Sequence, residues 1–349
     1  MKHPITVQND CTHFLSFCKL KREQKQTSMK NMKTMKNKDM RNNRQTIATK
    51  NLKILQNKPV ELCPIVGLTE TGLPIVKVYF KKVLLYFVLD SGAHQNILDV
   101  RVYNLLKEQL KTLAQQGNIV GFEGQEHNIQ QKISMKFRLQ KHTFEEEFSA
   151  VLVPGFDYME ELTGIRVHGI LGSGFFTQHK LILDYYQKMV YMAHNHRNSH
   201  AQRNKYVELF PLLGLKEAGL PIVVAYFKKT RFQFLLDTGA QNNIISTSVY
   251  EQLKEQLKHT PVQGGKIVGF EGQQHESGQR VSMKIEILNH VFDAEFSILE
   301  VPGFNYVEES FGIHLDGLLA SEFIAKQKLI IDYSRRMIYK KPKSTLRAK

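Results

Sequence analysis

The sequence predicts a mainly β protein made of two copies of one small β-barrel unit, related by a pseudo-two-fold axis. Three observations carry this. Long segments recur at a fixed spacing; the recurring segments are short and rich in β-branched and aromatic residues; and one stretch per copy has helical periodicity. GLTETGLPIVKVYFKK at 67–82 returns as GLKEAGLPIVVAYFKK at 214–229, an offset of 147, and VYNLLKEQLK at 102–111 returns as VYEQLKEQLK at 249–258. After one inserted residue the offset is 148: IVGFEGQEH at 119–127 matches IVGFEGQQH at 267–275, VPGFDY at 153–158 matches VPGFNY at 301–306, and KLILDY at 180–185 matches KLIIDY at 328–333. The expected units are 59–193 and 207–342, joined by a polar linker at 194–206 and followed by a short tail at 343–349.

The chain of 349 residues is 42% hydrophobic and 23% charged, enough apolar material for real cores. Its formal charge of +15 is not evenly spread. Residues 1–58 hold 14 Lys/Arg against 3 Asp/Glu, which leaves 34 against 30 for 59–349. Its stretch KREQKQTSMKNMKTMKNKDMRNNRQ at 21–45 has no aromatic and, apart from Thr27 and Thr34, no β-branched residues, and the tail shows no sustained period, so it cannot bury enough surface to offset its chain entropy and reads as disordered. Its bland reading is a solvated, solubilising tail; the alternative is a basic arm for nucleic acid or an anionic surface. Cys11, Cys18 and Cys63 form no pairing pattern and no CxxC, which argues against a disulfide framework or a zinc site. No run reaches the length of a membrane-spanning helix, and the N-terminus makes a poor secretory signal, so the expected address is cytoplasmic.

Within each unit the elements follow in order. LPIVKVYF and VLLYFVL flank a Lys-Lys turn, and KLILDY and KMVYM flank another, both hairpin-like. VRVYNLLKEQLKTLAQQ places Val102, Leu105, Leu106, Leu110 and Leu113 at helical spacing, predicting one amphipathic helix with a core-facing Leu stripe. Gly121 and Gly124, with Gly269 and Gly272 in the second copy, mark a glycine-flanked turn after a short strand. The linker is long enough, when extended, for the second copy to turn and face the first.

The chemistry is concentrated in FVLDSGA at 87–93 and FLLDTGA at 234–240. Each drives an apolar strand into a carboxylate, which is costly unless the group is hydrogen-bonded or paired. If the two loops meet across the pseudo-two-fold axis, Asp90 and Asp237 become neighbours. Two carboxylates about 3 Å apart do not both ionise readily; they share a proton and titrate together. The neighbouring residues suit that geometry. Gly92 and Gly239 permit close approach, Ser91 and Thr238 supply hydroxyls that can bond to the opposite loop, and Ala93 and Ala240 keep the space small. An ionised Asp can then act as general base on a water while a protonated Asp donates to a carbonyl.

These motifs, each followed some 80 residues later by HGILGSGFF at 168–176 or DGLLASEFI at 316–324 and then by the KLILDY or KLIIDY strand, resemble the retropepsin-like aspartic proteases, particularly the bacterial aspartyl protease family. The resemblance covers nearly everything beyond residue 60. It implies a tandem duplication of the retropepsin-like (acid protease) barrel with one or two short helices per unit, a catalytic Asp90/Asp237 dyad between the units, and an extended peptide or protein substrate under glycine-rich flaps. By position the flap candidates are Gly121, Phe122 and Gly124 in the first copy and Gly269, Phe270 and Gly272 in the second. A substrate strand there would be held by main-chain hydrogen bonds. No cofactor and no metal is implied, and the chain is expected to act as a monomer with an internal pseudo-dimer.

Two positions depart from the family pattern. Ala320 stands where the first copy has Gly172 and the family has Gly, a methyl that would crowd the Asp237 loop. Gly174 and Glu322 occupy a position where the family often has Asp. Other residues invite weaker readings. His127 and His275, with Glu123 and Glu271, match no zinc spacing and read as exposed loop residues. His94 is Gln241 in the second copy and so is no shared catalyst; Asp184 and Asp332 suit a hairpin turn or a surface position. The rival functional readings are a non-catalytic peptide-binding module of the same fold and a nucleic-acid-associated protein acting through the tail.

Overall fold

A computed structural model describes residues 59–113, 118–121, 124–193, 206–260, 266–268, 274–276 and 280–341. The basic tail, the C-terminal tail and most of the linker lie outside the described residues.

The first copy begins with β1 (Val60–Pro64), β2 (Ile75–Phe80), β3 (Val83–Asp90) and β4 (Ile97–Asp99), then helix α1 (Val100–Leu106). It continues through β5 (Lys111–Leu113), β6 (Asn118–Val120), β7 (Glu126–Asn128), β8 (Gln131–Leu139) and β9 (His142–Val151) to helix α2 (Gly155–Thr163). It ends with β10 (Gly169–Gly172), helix α3 (Ser173–Gln178), β11 (Leu181–Asp184) and β12 (Met189–Met192). The second copy repeats the series as β13 (Val207–Pro211), β14 (Ile222–Phe227), β15 (Thr230–Asp237), β16 (Ile244–Ile245), α4 (Thr247–Leu253), β17 (Lys258–Thr260), β18 (Lys266–Val268), β19 (Gln274–Glu276), β20 (Arg280–Ile287), β21 (His290–Ile298), α5 (Gly303–Phe311), β22 (Gly317–Ala320), α6 (Ser321–Gln327), β23 (Leu329–Asp332) and β24 (Met337–Lys340).

In each copy six strands close into a barrel. The order is β2-β3-β10-β4-β9-β8, sealed by the pairing of Tyr79 on β2 with Arg138 on β8; the second barrel runs β14-β15-β22-β16-β21-β20 and is sealed by Tyr226 and Glu286. The protein is thus mainly β with two closed barrels. Alternation explains the strands. β8 buries Ile133, Met135, Phe137 and Leu139 and turns Ser134, Lys136 and Arg138 outward. Inside, Phe137 packs edge-on to Phe148 at 5.8 Å and tilted against Phe175 at 6.0 Å. Each such fully buried Phe contributes about 1.5–3 kcal/mol.

The helix expected after the first Asp-Ser-Gly-Ala loop is shorter than its periodicity suggests. It stops at Leu106, passes through a 3-10 turn, and the chain becomes strand β5, whose Lys111, Thr112 and Leu113 pair with β8. Sheet pairing overrides the continuing Leu period, and Leu105 is left largely exposed while Val102 and Leu106 are buried. Asp99 sets the helix start: its carboxylate accepts from Arg101 N at 2.8 Å and also holds the Arg101 guanidinium at 2.7 Å.

The two copies are joined by a third sheet with the order β1-β12-β11-β23-β24-β13. At its centre Leu183 of β11 pairs with Ile331 of β23, its own counterpart in the repeat, flanked by Ile182 opposite Asp332 and Asp184 opposite Ile330. A local two-fold axis therefore passes between Leu183 and Ile331. Around it one hydrophobic cluster runs without a break from Leu62 in the first copy to Ile338 in the second. Among the described residues no helix is long and apolar enough to cross a membrane.

Candidate active site

Strands β3 and β15 run inward from their hairpins and end on Asp90 and Asp237. Each is held in parallel register by the strand beside it, so that Asp90 pairs with Gly172 and Asp237 with Ala320. The loops beyond the aspartates meet at the axis. Ser91 N donates to Thr238 Oγ1 at 2.9 Å and Thr238 N to Ser91 Oγ at 2.8 Å. The hydroxyls continue across: Ser91 Oγ donates to Leu236 O at 2.6 Å and Thr238 Oγ1 to Leu89 O at 2.7 Å. Both residues are fully buried, and these four bonds, each worth about 1 kcal/mol net, leave neither the Ser91 nor the Thr238 hydroxyl unpaired.

This lattice brings the two carboxyls together. Asp90 and Asp237 are hydrogen-bonded to one another through their side chains. Each also accepts from its own loop: Gly92 N and Ala93 N reach Asp90 Oδ1 at 2.8 and 3.1 Å, and Gly239 N and Ala240 N reach Asp237 Oδ1 at 2.8 and 3.2 Å. Both aspartates retain partial exposure. The glycines are required by proximity. A Cβ at Gly92 would stand 2.7 Å from Cγ of Asp237, and one at Gly239 would press on Asp90 in the same way.

Burial raises the Asp90 carboxyl well above the usual carboxylate range, and the nearby Asp237 charge raises it further, against the lowering pull of the Ala93 and Gly92 amides. Burial also raises Asp237, opposed by the Gly239 amide and by the hydrogen bond from Asp90. Both carboxyls are thus held above the ordinary carboxylate range, so the pair keeps one proton to a higher pH than a lone carboxylate would. Because the two loops have nearly the same geometry, that proton belongs to the pair rather than to one residue.

The methyl of Ala320 does not displace the Asp237 loop. The amide bonds to Asp237 match those to Asp90 within 0.1 Å, and the supporting bonds recur as well. Gly172 N donates to Asn96 Oδ1 at 3.0 Å and Ala320 N to Asn243 Oδ1 at 2.7 Å. Ser173 N reaches Ala93 O at 2.8 Å and Ser321 N reaches Ala240 O at 3.0 Å.

Several of these supporting residues are not singled out by the sequence motifs. Asn96 and Asn243 are buried and tie the dyad loops to the barrels, with Nδ2 donating to Glu147 O and Glu295 O. Their signal was available: both lie six residues after the aspartate in the two copies. Tyr185 and Tyr333 are buried beneath the loops, and Tyr185 Oη lies 3.2 Å from Ser321 Oγ of the other copy. Glu322, which the sequence left without chemistry, lies 3.3 Å from Arg280, whose guanidinium also donates to Asn242 Oδ1 at 2.8 Å beside the second loop. The first copy has Gly174 at the position of Glu322 and Lys132 at that of Arg280, so this ion pair has no counterpart there.

Of the flap candidates, Phe122, Gly269, Phe270 and Gly272 lie outside the described residues. Gly121 and Gly124 close the β6–β7 turn, with Gly124 N donating to Gly121 O at 3.1 Å. Gly124 has φ +72°, and a Cβ there would meet Pro302 of the second copy at 3.1 Å. The first turn therefore reaches the opposite half at the start of α5. His94 and Gln241, which follow the dyad loops, likewise pack against the opposite copy at Gly219 and Gly72.

Asp184 and Asp332 are not at the surface. Both are fully buried in the joining sheet, where Oδ1 caps the following turn by accepting from Gln187 N at 2.8 Å or Arg335 N at 3.1 Å. Among the described residues no group of three or more His, Cys, Asp or Glu side chains is placed to hold a metal ion. Compared with known proteins, the chain matches no protein-family model, and a search of curated proteins finds no match.

Proposed function

We propose that this chain is an aspartic endopeptidase of the retropepsin-like type, closing on itself to form one active site from its two halves. The observation that carries the reading is the hydrogen-bonded pair of Asp90 and Asp237, fixed by reciprocal Ser91 and Thr238 bonds and kept close by two glycines. In the singly protonated pair the ionised carboxylate takes a proton from a water, and the water oxygen attacks the peptide carbonyl carbon. The protonated partner gives its proton to the carbonyl oxygen, forming a neutral tetrahedral diol. Collapse breaks the C–N bond, the amide nitrogen receives a proton from the dyad, and one diol hydroxyl returns its proton so that the singly protonated pair is restored. The substrate lies extended under the β6–β7 turn and its counterpart.

Replacing Asp90 or Asp237 with Asn is expected to lower turnover of an unfolded protein substrate by about 10²–10⁴-fold. Activity should fall as pH rises through the raised second ionisation of the pair, since the doubly ionised dyad lacks the proton donor. Proteolysis by wild type and both variants across pH 3 to 8, with molar mass measured alongside, tests this. Full activity in either variant, or no cleavage by the wild type at any pH, overturns it; the second result leaves a non-catalytic peptide-binding module.

A further inference from the structure

The first barrel carries a cleft that none of the dyad residues line. It opens on the outer face with a volume of about 390 Å³ and is walled by Lys81, Lys111, Lys136 and Arg138, with Glu145 the only acidic residue of its lining. Its position follows from the sheet. On one side β8 is paired to β5 along Lys132–Ser134 and to β2 only at Arg138, so the cleft lies where those two neighbours part. Among the described residues none of the four cations forms an ion pair, although Lys136 stands directly across the ladder from Glu145. Glu145 instead accepts from Ser134 Oγ at 3.3 Å.

The second barrel keeps Lys228, Lys258 and Lys284 in the places of Lys81, Lys111 and Lys136 but replaces Arg138 with Glu286, and there Lys284 is within 3.8 Å of Asp293 and Lys228 donates to Gln256. The charge difference between the two halves at this place therefore rests on Arg138 against Glu286.

We propose that this cleft binds an extended acidic peptide segment, as a docking site separate from the dyad. Ser134, Lys136 and Arg138 alternate on one face of β8, so the two cations stand roughly 7 Å apart, the spacing of side chains two residues apart in an extended chain. Acidic side chains at alternate positions of the ligand meet them in register. The polar lining of Gln109, Ser134, Thr143 and Glu145 offers partners for peptide N–H and C=O groups. Nucleic acid fits less well: one face of the Tyr79 ring is taken by the Arg138 guanidinium, 5.9 Å from its centroid, whereas the polar side chains of the cleft match the main-chain groups of an extended peptide.

Fluorescence anisotropy of the full-length chain with a labelled octapeptide alternating Glu and Thr tests the proposal, alongside Arg138→Glu, which installs the residue the second barrel carries, and Glu286→Arg, which does the reverse. Binding is expected to weaken at least ten-fold in Arg138→Glu, with an unchanged melting temperature, and a Lys-for-Glu peptide should not bind. Glu286→Arg should strengthen binding. Equal affinity of wild type and Arg138→Glu overturns the proposal, since it places the peptide elsewhere on this basic chain. Tighter binding of single-stranded DNA or inorganic phosphate than of the acidic peptide, equally sensitive to Arg138→Glu, also overturns it in favour of a general anion site. None of these readouts depends on peptide cleavage.

Discussion

Gly172 and Ala320 occupy the same place in the two copies, yet a methyl group is tolerated at only one of them. A Cβ at Gly172 would stand 2.6 Å from Gln95 O and 2.7 Å from Ala93 O, both rigid backbone atoms of the dyad loop. At Ala320 the methyl is fully buried within the second apolar cluster. Gly172→Ala is accordingly expected to destabilise the fold by about 1–3 kcal/mol through overpacking. Ala320→Gly should cost about 1 kcal/mol, for a lost buried methyl and added chain entropy, and leave peptide hydrolysis unchanged. Chemical denaturation with parallel activity assays separates the two. A Gly172→Ala variant as stable and as active as wild type would refute the steric account.

At the scale of elements, the joining sheet buries a carboxyl in each central strand. Burial raises Asp184 on β11 from 3.8 to about 6, more than the turn amides of Gln187 and Tyr186 lower it. A native pKa above the unfolded one means the folded state holds its proton longer. Stability from this group is full below about pH 4, falls as pH rises through about 6, and is then lost, a difference of about 3 kcal/mol. Asp184→Asn is therefore expected to be more stable than wild type at pH 7 and no more stable at pH 4, read from denaturant midpoints. A variant less stable at both would show that the carboxylate's turn bonds outweigh its burial.

The legibility of these elements in the sequence was uneven, for physical reasons. The hairpins around Lys81-Lys82 and between β11 and β12 follow from alternation and turn residues, and the dyad loops announce themselves by a carboxylate at the end of an apolar strand. The short helices α2 and α5 were not legible: GFDYMEELT has no long period, and the helix exists because Pro154 opens it, Gly164 closes it in a left-handed conformation and Phe156 is buried beneath. Burial of Asp184 was hidden because KLILDY reads equally well as an outer hairpin; only its pairing with the opposite copy covers the carboxyl. The supporting asparagines were visible as a repeat but not as a function, since their partners lie on strands 76 or 77 residues away.

At the scale of the whole molecule, one core and one sheet span both halves. Unfolding is expected as a single transition rather than two, because no barrel can separate without exposing β11 or β23 along its full length. A chain ending after residue 193 would leave β11 without its partner. Since Leu183 pairs with its own counterpart across the axis, that fragment has a complementary surface in a second copy of itself and should dimerise, as light scattering after size-exclusion chromatography would detect. A fragment that stays monomeric and folded would show that the joining sheet contributes little.

The palindromic order of that sheet, β1-β12-β11-β23-β24-β13, has one more consequence. An assembly of two identical chains must accept every substitution twice, once on each side of its axis. Here the sides are separate stretches of one gene product, so each can be altered while the other keeps its ancestral chemistry. Ser91 opposite Thr238, His94 in the place that Gln241 holds in the second copy, and Arg138 in the place of Glu286 record that freedom already in use.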